Sequence, residues 1–354
     1  PFTKEELLRR QFAFGLTLED MELILQPMVT DAKEAVGSMG DDTPLAVLSE
    51  NYRGMHHFFR QNFSQVTNPP IDSLRESRVM TLNTRLGNLG NILDESPEQC
   101  EILQLSSPVL TNTQFAAMRK YMASTGIDSA GDIDCTFSAD GGENALRLAI
   151  LRIQNEAEEA VRAGKRHIVL TDEGQSASRA AIPMILAAGA VHTHLIRQKL
   201  RTFCSLNVRT GECLDVHYFA VLVGVGATTV NAYLAEEAIS DRHRRGLFGE
   251  MSLEDCLKRY QKAIGDGLLK VMSKMGISVI SSYRGGYNCE AVGLSRSMVA
   301  EFFPGMTSRI SGIGLAGIQK KVLEQHAKAY RAGAVTLDRK STRLNSSHTD
   351  ISRM

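Results

Sequence analysis

The chain has 354 residues, 43% of them hydrophobic and 23% charged, which excludes a mainly disordered protein. Its 40 Lys+Arg balance 40 Asp+Glu, and a formal net charge of zero argues against a general nucleic-acid binder, which needs a basic face to displace counterions. With no Trp and 6% aromatic residues, no base-stacking surface is expected. The longest nearly unbroken apolar run, residues 180–191, falls short of the roughly 20 residues of a membrane-spanning helix. A soluble, cytoplasmic protein is expected, without nucleic-acid or membrane partners. The opening Pro1, with no initiator Met and no signal-peptide core after it, is expected to lie inside a longer protein.

Residues 1–99 read as a helical, loop-rich portion. Thr17-Leu-Glu-Asp20 predicts a helix start, with Thr17 as N-cap, Asp20 at the capping-box position and Pro27 as the exit. Residues 37–44 are a predicted loop, and His56 to Phe63 a short helix. Pro69 and Pro70 remove two backbone donors and hold residues 65–72 extended.

From residue 100 to 337 a βα rhythm is predicted. The expected strands are 100–105, 133–137, 167–171, 202–208, 227–232 and 277–282. Between them fall helices over 112–122 (with Asn112 as cap), 142–163, 179–188, 191–200, 213–223 and on to Met275. Six strands, each followed by helix, predict an α/β fold around a parallel sheet. No glycine-rich phosphate turn follows the first strand. Right-handed crossovers leave a doubly wound sheet or a barrel, and the short apolar strands tilt the expectation toward an incomplete (rudimentary) βα-barrel-like array.

Candidate chemistry is sparse. Gly312, Gly314 and Gly317 match G-x-G-x-x-G, but residues 304–310 read as a poor strand and the position leaves no room for a full βαβ unit, so tight packing at a helix start is the better reading. Arg284 beside Gly285 and Gly286, placed just after a predicted strand, is a candidate anion or interdomain contact; the competing reading is a turn with Arg284 paired to a carboxylate. His192 and His194 are two apart and share no helix face, so they read, like His56 and His57, as surface residues. Asp172 and Glu173, at a strand end, offer a general base without a partner. The six cysteines form no C-x-x-C and read as buried reduced thiols. No catalytic residue and no metal site is assigned.

Longer strings carry more information. Residues 10–20, 37–44, 61–72, 107–110, 179–183, 225–233 and 274–284, in this order, resemble the central domain of the glutamate synthase large chain. The resemblance runs from about Arg10 to Leu337. It implies a multidomain oxidoreductase that makes two glutamates from glutamine and 2-oxoglutarate, assimilating ammonia with a reductant. In that family the central domain joins a glutaminase domain to an FMN-binding domain that also holds an iron–sulfur cluster. The resemblance implies no cofactor bound by this chain, FMN and iron–sulfur in the full-length enzyme, and inactivity of this part alone. It also implies, as partners, the glutaminase and FMN domains of the same chain and a small electron-transfer subunit or ferredoxin. The resemblance would place Thr67 and Asn68 near the entrance of the ammonia tunnel, where the stiff Pro69-Pro70 backbone suits a rigid wall; the competing reading is an ordinary extended surface linker. Residues 338–354 depart from the family, lack periodicity and are expected to be a non-native tail. The alternative is a free-standing βα-barrel enzyme with a site at its strand ends, near Thr171, Asn207, Asn231 and Arg284.

Overall fold

The computed structural model describes residues 2–34, 45–49, 52–63, 76–91, 93–95, 97–100, 102–124, 130–333 and 335–337. It is a mixed α/β structure around a four-stranded parallel sheet of Ala130–Asp134, His167–Thr171, Ser205–Arg209 and Thr229–Asn231. Spatial order follows chain order, so each crossover moves one strand along in the same direction. The register is unbroken across the centre: Val169 pairs with Asn207 and Asn207 with Thr229. A further parallel bridge joins Val230 to Val109.

Alternation along these strands separates two chemistries. Ile168, Leu170, Leu206, Val208 and Val230 face the main core, where they pack with the helices Ala145–Arg162, Met184–Arg197 and Val216–Gly224. The opposite face is buried too, but much of it is polar. His167 Nδ1 lies 2.7 Å from Ser205 Oγ, Asn207 donates to Ser205 Oγ (3.2 Å), and Thr229 donates to Asn207 Oδ1 (2.7 Å). Each buried polar group thus meets a partner on the next strand, which offsets its desolvation. Burial lowers the pKa of His167 to about 4 and keeps it neutral, assisted by the nearby Arg166 and Arg119. The helix Asn112–Ser124 covers this face, setting Phe115, Met118 and Met122 around Val169.

Several predicted elements change identity. The strand predicted over 100–105 is Leu103–Leu105, antiparallel to Thr84–Leu86 and outside the parallel sheet. Residues 277–282 form no strand: Val279 makes one bridge to Thr81, and the one-turn helix Ile280–Tyr283 follows. The predicted strand 133–137 is two, Ala130–Asp134 and Thr136–Ser138, parted at Cys135. The second pairs with Arg179–Ala181, which had read as helix. Pro183 then fixes the start of one helix, Met184–Arg197, in place of two. In the first helical segment Thr17 Oγ1 accepts from Asp20 N (3.2 Å) and Asp20 Oδ2 from Thr17 N (2.8 Å), the capping box the sequence predicts. Pro27 is not the exit. A π-helical turn, Asp20–Leu25, widens the ladder, Gln26 N reaches Met21 O, and the helix continues to Thr30. The helix over 112–124 is capped one residue earlier than predicted, by Thr111, whose Oγ1 accepts from Gln114 N (3.2 Å). His56 and His57 sit on a 3-10 turn, Met55–Phe58, that leads into the strand Phe59–Gln61.

That strand pairs antiparallel with Cys289–Leu294, which in turn runs parallel to Thr307–Ile313, and neither partner was expected. The G-x-G-x-x-G glycines therefore span a strand-to-helix junction, with Gly312 in the strand, Gly314 at the N-cap and Gly317 in the first turn of the helix Leu315–Ala329. Packing still accounts for Gly312, because a Cβ there would meet Gly293 O at 2.1 Å. Of the six cysteines, Cys100 is exposed and the other five are buried free thiols. Among the described residues no helix is long and apolar enough to cross a membrane.

Candidate functional site

In parallel α/β folds ligands gather at the carboxyl ends of the strands. Here those ends bring together Asp172 and Glu173 after one strand, Thr210, Gly211 and Glu212 after the next, and Tyr233 and Glu236 after the third. Three of their carboxyls are buried: Asp172, Glu212 and Glu236. Burial raises Asp172 to about 6, against the opposing pull of hydrogen bonds from Thr210 and Gly211. Burial likewise raises Glu212 and Glu236, each to about 7. Perturbed carboxyls at strand ends mark active-site candidates, and structural networks shift pKa in the same way.

The contacts decide between these readings. Asp172 Oδ2 accepts from Thr210 Oγ1 (2.5 Å), and its Oδ1 from Gly211 N (3.0 Å). Glu212 Oε2 accepts from Met184 N (3.0 Å) and from the Tyr218 hydroxyl. Glu236 Oε1 accepts from Asn112 N (2.7 Å) at the start of the covering helix. Arg209 is held by Glu173 (2.7 Å) and Asn231 Oδ1 (2.5 Å), over the rings of Phe115 and Tyr233. Each carboxyl thus fastens one chain segment to another.

The amino-terminal helix Lys4–Ala13 and its exit then close the edge. Arg10 donates to Glu173 O (3.1 Å), and Phe14 packs with Leu7, Ala181, Tyr233 and Leu234. Phe14 lies so close to Gly211 that a Cβ there would meet its ring at 2.4 Å. Beside Glu212, Tyr218 and His56 a space of only about 20 Å³ remains, enough for one water molecule.

The sequence-predicted residues divide between the two ends of the sheet. Thr171, Asp172, Glu173 and Asn231 reach the carboxyl edge, whereas Asn207 lies mid-strand in the polar ladder. Arg284 lies at the other end, beside the segments that lead into the strands, and follows a short helix where a strand had been expected. The Gly285 and Gly286 amides donate to Val223 O (3.0 Å) and Tyr283 O (3.1 Å), so they offer nothing to an anion. His192 is buried, which corrects its reading as a surface residue: its helix is apolar on nearly every side. His194 pairs with Glu158 (2.7 Å). Among the described residues no group of His, Cys, Asp or Glu could hold a metal ion. Thr67 and Asn68 lie outside the described residues, as do residues 338–354. Sequence reasoning missed Glu212, Glu236 and Arg201, whose neighbours in the chain include other polar and charged residues and so gave no local signal.

Comparison with known proteins assigns this framework. Residues 9–295 match the family described as glutamate synthase central domain. The chain belongs to that family. It is 72% identical over 334 residues to the glutamate synthase [NADPH] large chain of Azospirillum brasilense, covering 94% of this chain and 22% of that protein. It is 40% identical to the glutamate synthase [NADH] of Saccharomyces cerevisiae over 91% of this chain and 15% of that protein. It is 38% identical to the ferredoxin-dependent glutamate synthase 2 of Synechocystis over 94% of this chain and 22% of that protein. The chain thus spans about a fifth of the curated relatives it matches. Among solved structures, a flavocytochrome b2 mutant with pyruvate bound aligns over 96% of this chain and 100% of that chain, with a TM-score of 0.42 and 11% identity, too low a score to establish a shared fold.

Proposed function

We propose that this chain is the catalytically silent framework of a glutamate synthase large chain. It holds a glutaminase domain and an FMN-binding synthase domain of the same chain at a fixed distance and helps line the ammonia path between them. The whole enzyme would convert glutamine and 2-oxoglutarate into two glutamates with a reductant, in the cytoplasm. The observation that carries the silent role is the closed carboxyl edge: its carboxyls are engaged, and Phe14 and Arg10 lie over them.

We read the parallel sheet as an incomplete barrel. Its order follows the chain without reversal, and the helices 145–162, 184–197 and 216–224 share one face. The polar ladder lines what would be the interior, and the helix Asn112–Ser124 takes up the space where further strands would close a barrel. A free-standing barrel enzyme would need an open cleft at the strand ends.

The residues at that edge do not fit FMN. A phosphate would meet Asp172, Glu212 and Glu236, and the Gly211 amide already donates to Asp172. FMN and the iron–sulfur cluster are accordingly assigned to the remainder of the enzyme. Relatives named for NADPH, NADH and ferredoxin all match this segment, so the choice of donor, and of a small electron-transfer subunit or ferredoxin as partner, is made elsewhere.

The tunnel assignment rests on Thr67 and Asn68 and is tested in the longer enzyme. Thr67→Trp is expected to leave glutamine hydrolysis intact and to release ammonia uncoupled from glutamate synthesis. Full coupling in this variant would remove Thr67 from the ammonia path.

A further inference from the structure

A buried cation normally has an anion or a full set of acceptors. Arg284 has neither. Its Nε and Nη2 atoms are buried and meet no hydrogen-bond partner, although the residue as a whole remains partly open to solvent. A second guanidinium stands near it. Arg201 donates to His192 Nδ1 (2.8 Å), Cys204 O (2.8 Å) and Gly226 O (2.8 Å), all of them neutral acceptors. Burial and the Arg201 charge lower Arg284 to about 10. Burial also lowers Arg201, and no carboxylate appears among the groups that act on either arginine. Two neighbouring positive charges therefore stand here without a counter-charge among the described residues.

Its geometry is fixed by three backbone bonds: Arg284 N to Ile280 O, Gly285 N to Val223 O, and Tyr287 N to Gly224 O. Gly285 adopts φ +67°, a left-handed conformation that turns the chain immediately after Arg284. A Cβ at Gly285 would come within 3.1 Å of His192 Nε2. Because His192 Nδ1 accepts from Arg201, Nε2 is the nitrogen that carries the ring proton. Burial, aided by Arg201, lowers His192 to about 3, so the ring is a neutral donor. Two guanidinium donors side by side, Nε and Nη2, with no partner among the described residues match the two oxygens of a carboxylate.

From this geometry we infer that Arg284, backed by Arg201 and His192, forms a binding site for one carboxylate or an equally small oxyanion at the amino-terminal edge of the parallel sheet. The anion accepts from Arg284 Nε and Nη2 and compensates the charge that Arg201 adds. The glycine amides take no part.

The probe is acetate, titrated into the purified chain against chloride at constant ionic strength, with binding followed by the Arg284 Nε–H resonance. Hydrogen exchange of residues 280–288 provides a second readout. The account expects a saturable shift, slower exchange in that segment, and binding weakened about tenfold or more in Arg284→Gln. Arg284→Lys keeps the charge and loses the fork, so it is expected to bind at an intermediate strength. Circular dichroism of both variants separates loss of binding from loss of fold. The longer enzyme distinguishes the source of the carboxylate. If residues 280–288 are already protected there and acetate has no effect, a side chain from elsewhere in the protein fills the site. If acetate still protects them, the ligand is a free anion. No saturable response beyond chloride in the purified chain, or an unchanged response in a folded Arg284→Gln, overturns the site.

Discussion

The two edges of the parallel sheet solve opposite problems with similar residue types. At the carboxyl edge, Asp172, Glu212 and Glu236 are buried acids with identified donors, and Arg10 of the amino-terminal helix reaches the backbone oxygen of Glu173 beside them. At the amino edge, Arg284 is a partly buried base whose Nε and Nη2 meet no partner among the described residues, next to a second arginine that is satisfied only by neutral groups. Acids that already hold donors have little left to offer a ligand, whereas a guanidinium with unmet donors retains affinity for a partner of opposite charge. The contrast sets engaged carboxyls at the end of the sheet where enzymes of this architecture work and an unpartnered guanidinium at the other end.

Three substitutions can break or sharpen that contrast. Phe14→Ala removes the ring that lies over Gly211 and empties a site that is 3% exposed. It is expected to cost about 3–5 kcal/mol in urea unfolding, the range for truncating a buried Phe. A cost below about 1 kcal/mol would mean that the edge is not held closed by this contact.

Glu212→Gln probes the buried acids through pH. Native Glu212 titrates at about 7, against an ordinary 4.5, so between these values the folded chain binds more protons than the unfolded one. The stability it contributes is therefore greatest below the ordinary value and declines as pH rises toward the native one. Glutamine can accept from both Met184 N and Tyr218 without titrating. Stability of the variant relative to wild type is expected to grow by about 2–3 kcal/mol between pH 4.5 and 7. A difference that stays flat with pH would show Glu212 to be ionised throughout.

Arg284→Met gives the smallest effect and the opposite sign. Removing a buried charge without a partner is expected to leave the isolated chain as stable as wild type or more so, by up to about 1 kcal/mol in low-salt buffer. A loss of several kcal/mol on urea unfolding would reveal a partner for Arg284 within this chain.

Local signals in the sequence were strong where one segment determines its own structure. The strand 167–171 has the predicted bounds, and Thr17 with Asp20 forms the predicted capping box, since both depend on neighbours within a few residues. Cys289–Leu294 escaped notice because one of its two partner strands, Phe59–Gln61, lies more than two hundred residues earlier in the chain. Pro27 was misread because a π turn supplied by the preceding residues absorbs the missing donor. Of the candidate site, Asp172 was legible as an acid at a strand end. Glu212 was not, because it draws its meaning from Met184, 28 positions away, and from complete burial that composition does not reveal. Arg284 was legible as a cation beside a glycine turn, but its empty nitrogens depend on how helices 184–197 and 216–224 end nearby.

The central claim is that the carboxyl edge of the sheet is a closed framework and not a cofactor site. Titration of FMN with the purified chain, followed by flavin fluorescence, tests it most directly. The account predicts that the emission remains that of free flavin up to a large excess of protein. Saturable one-to-one quenching that is lost when the carboxyl edge is mutated would contradict it.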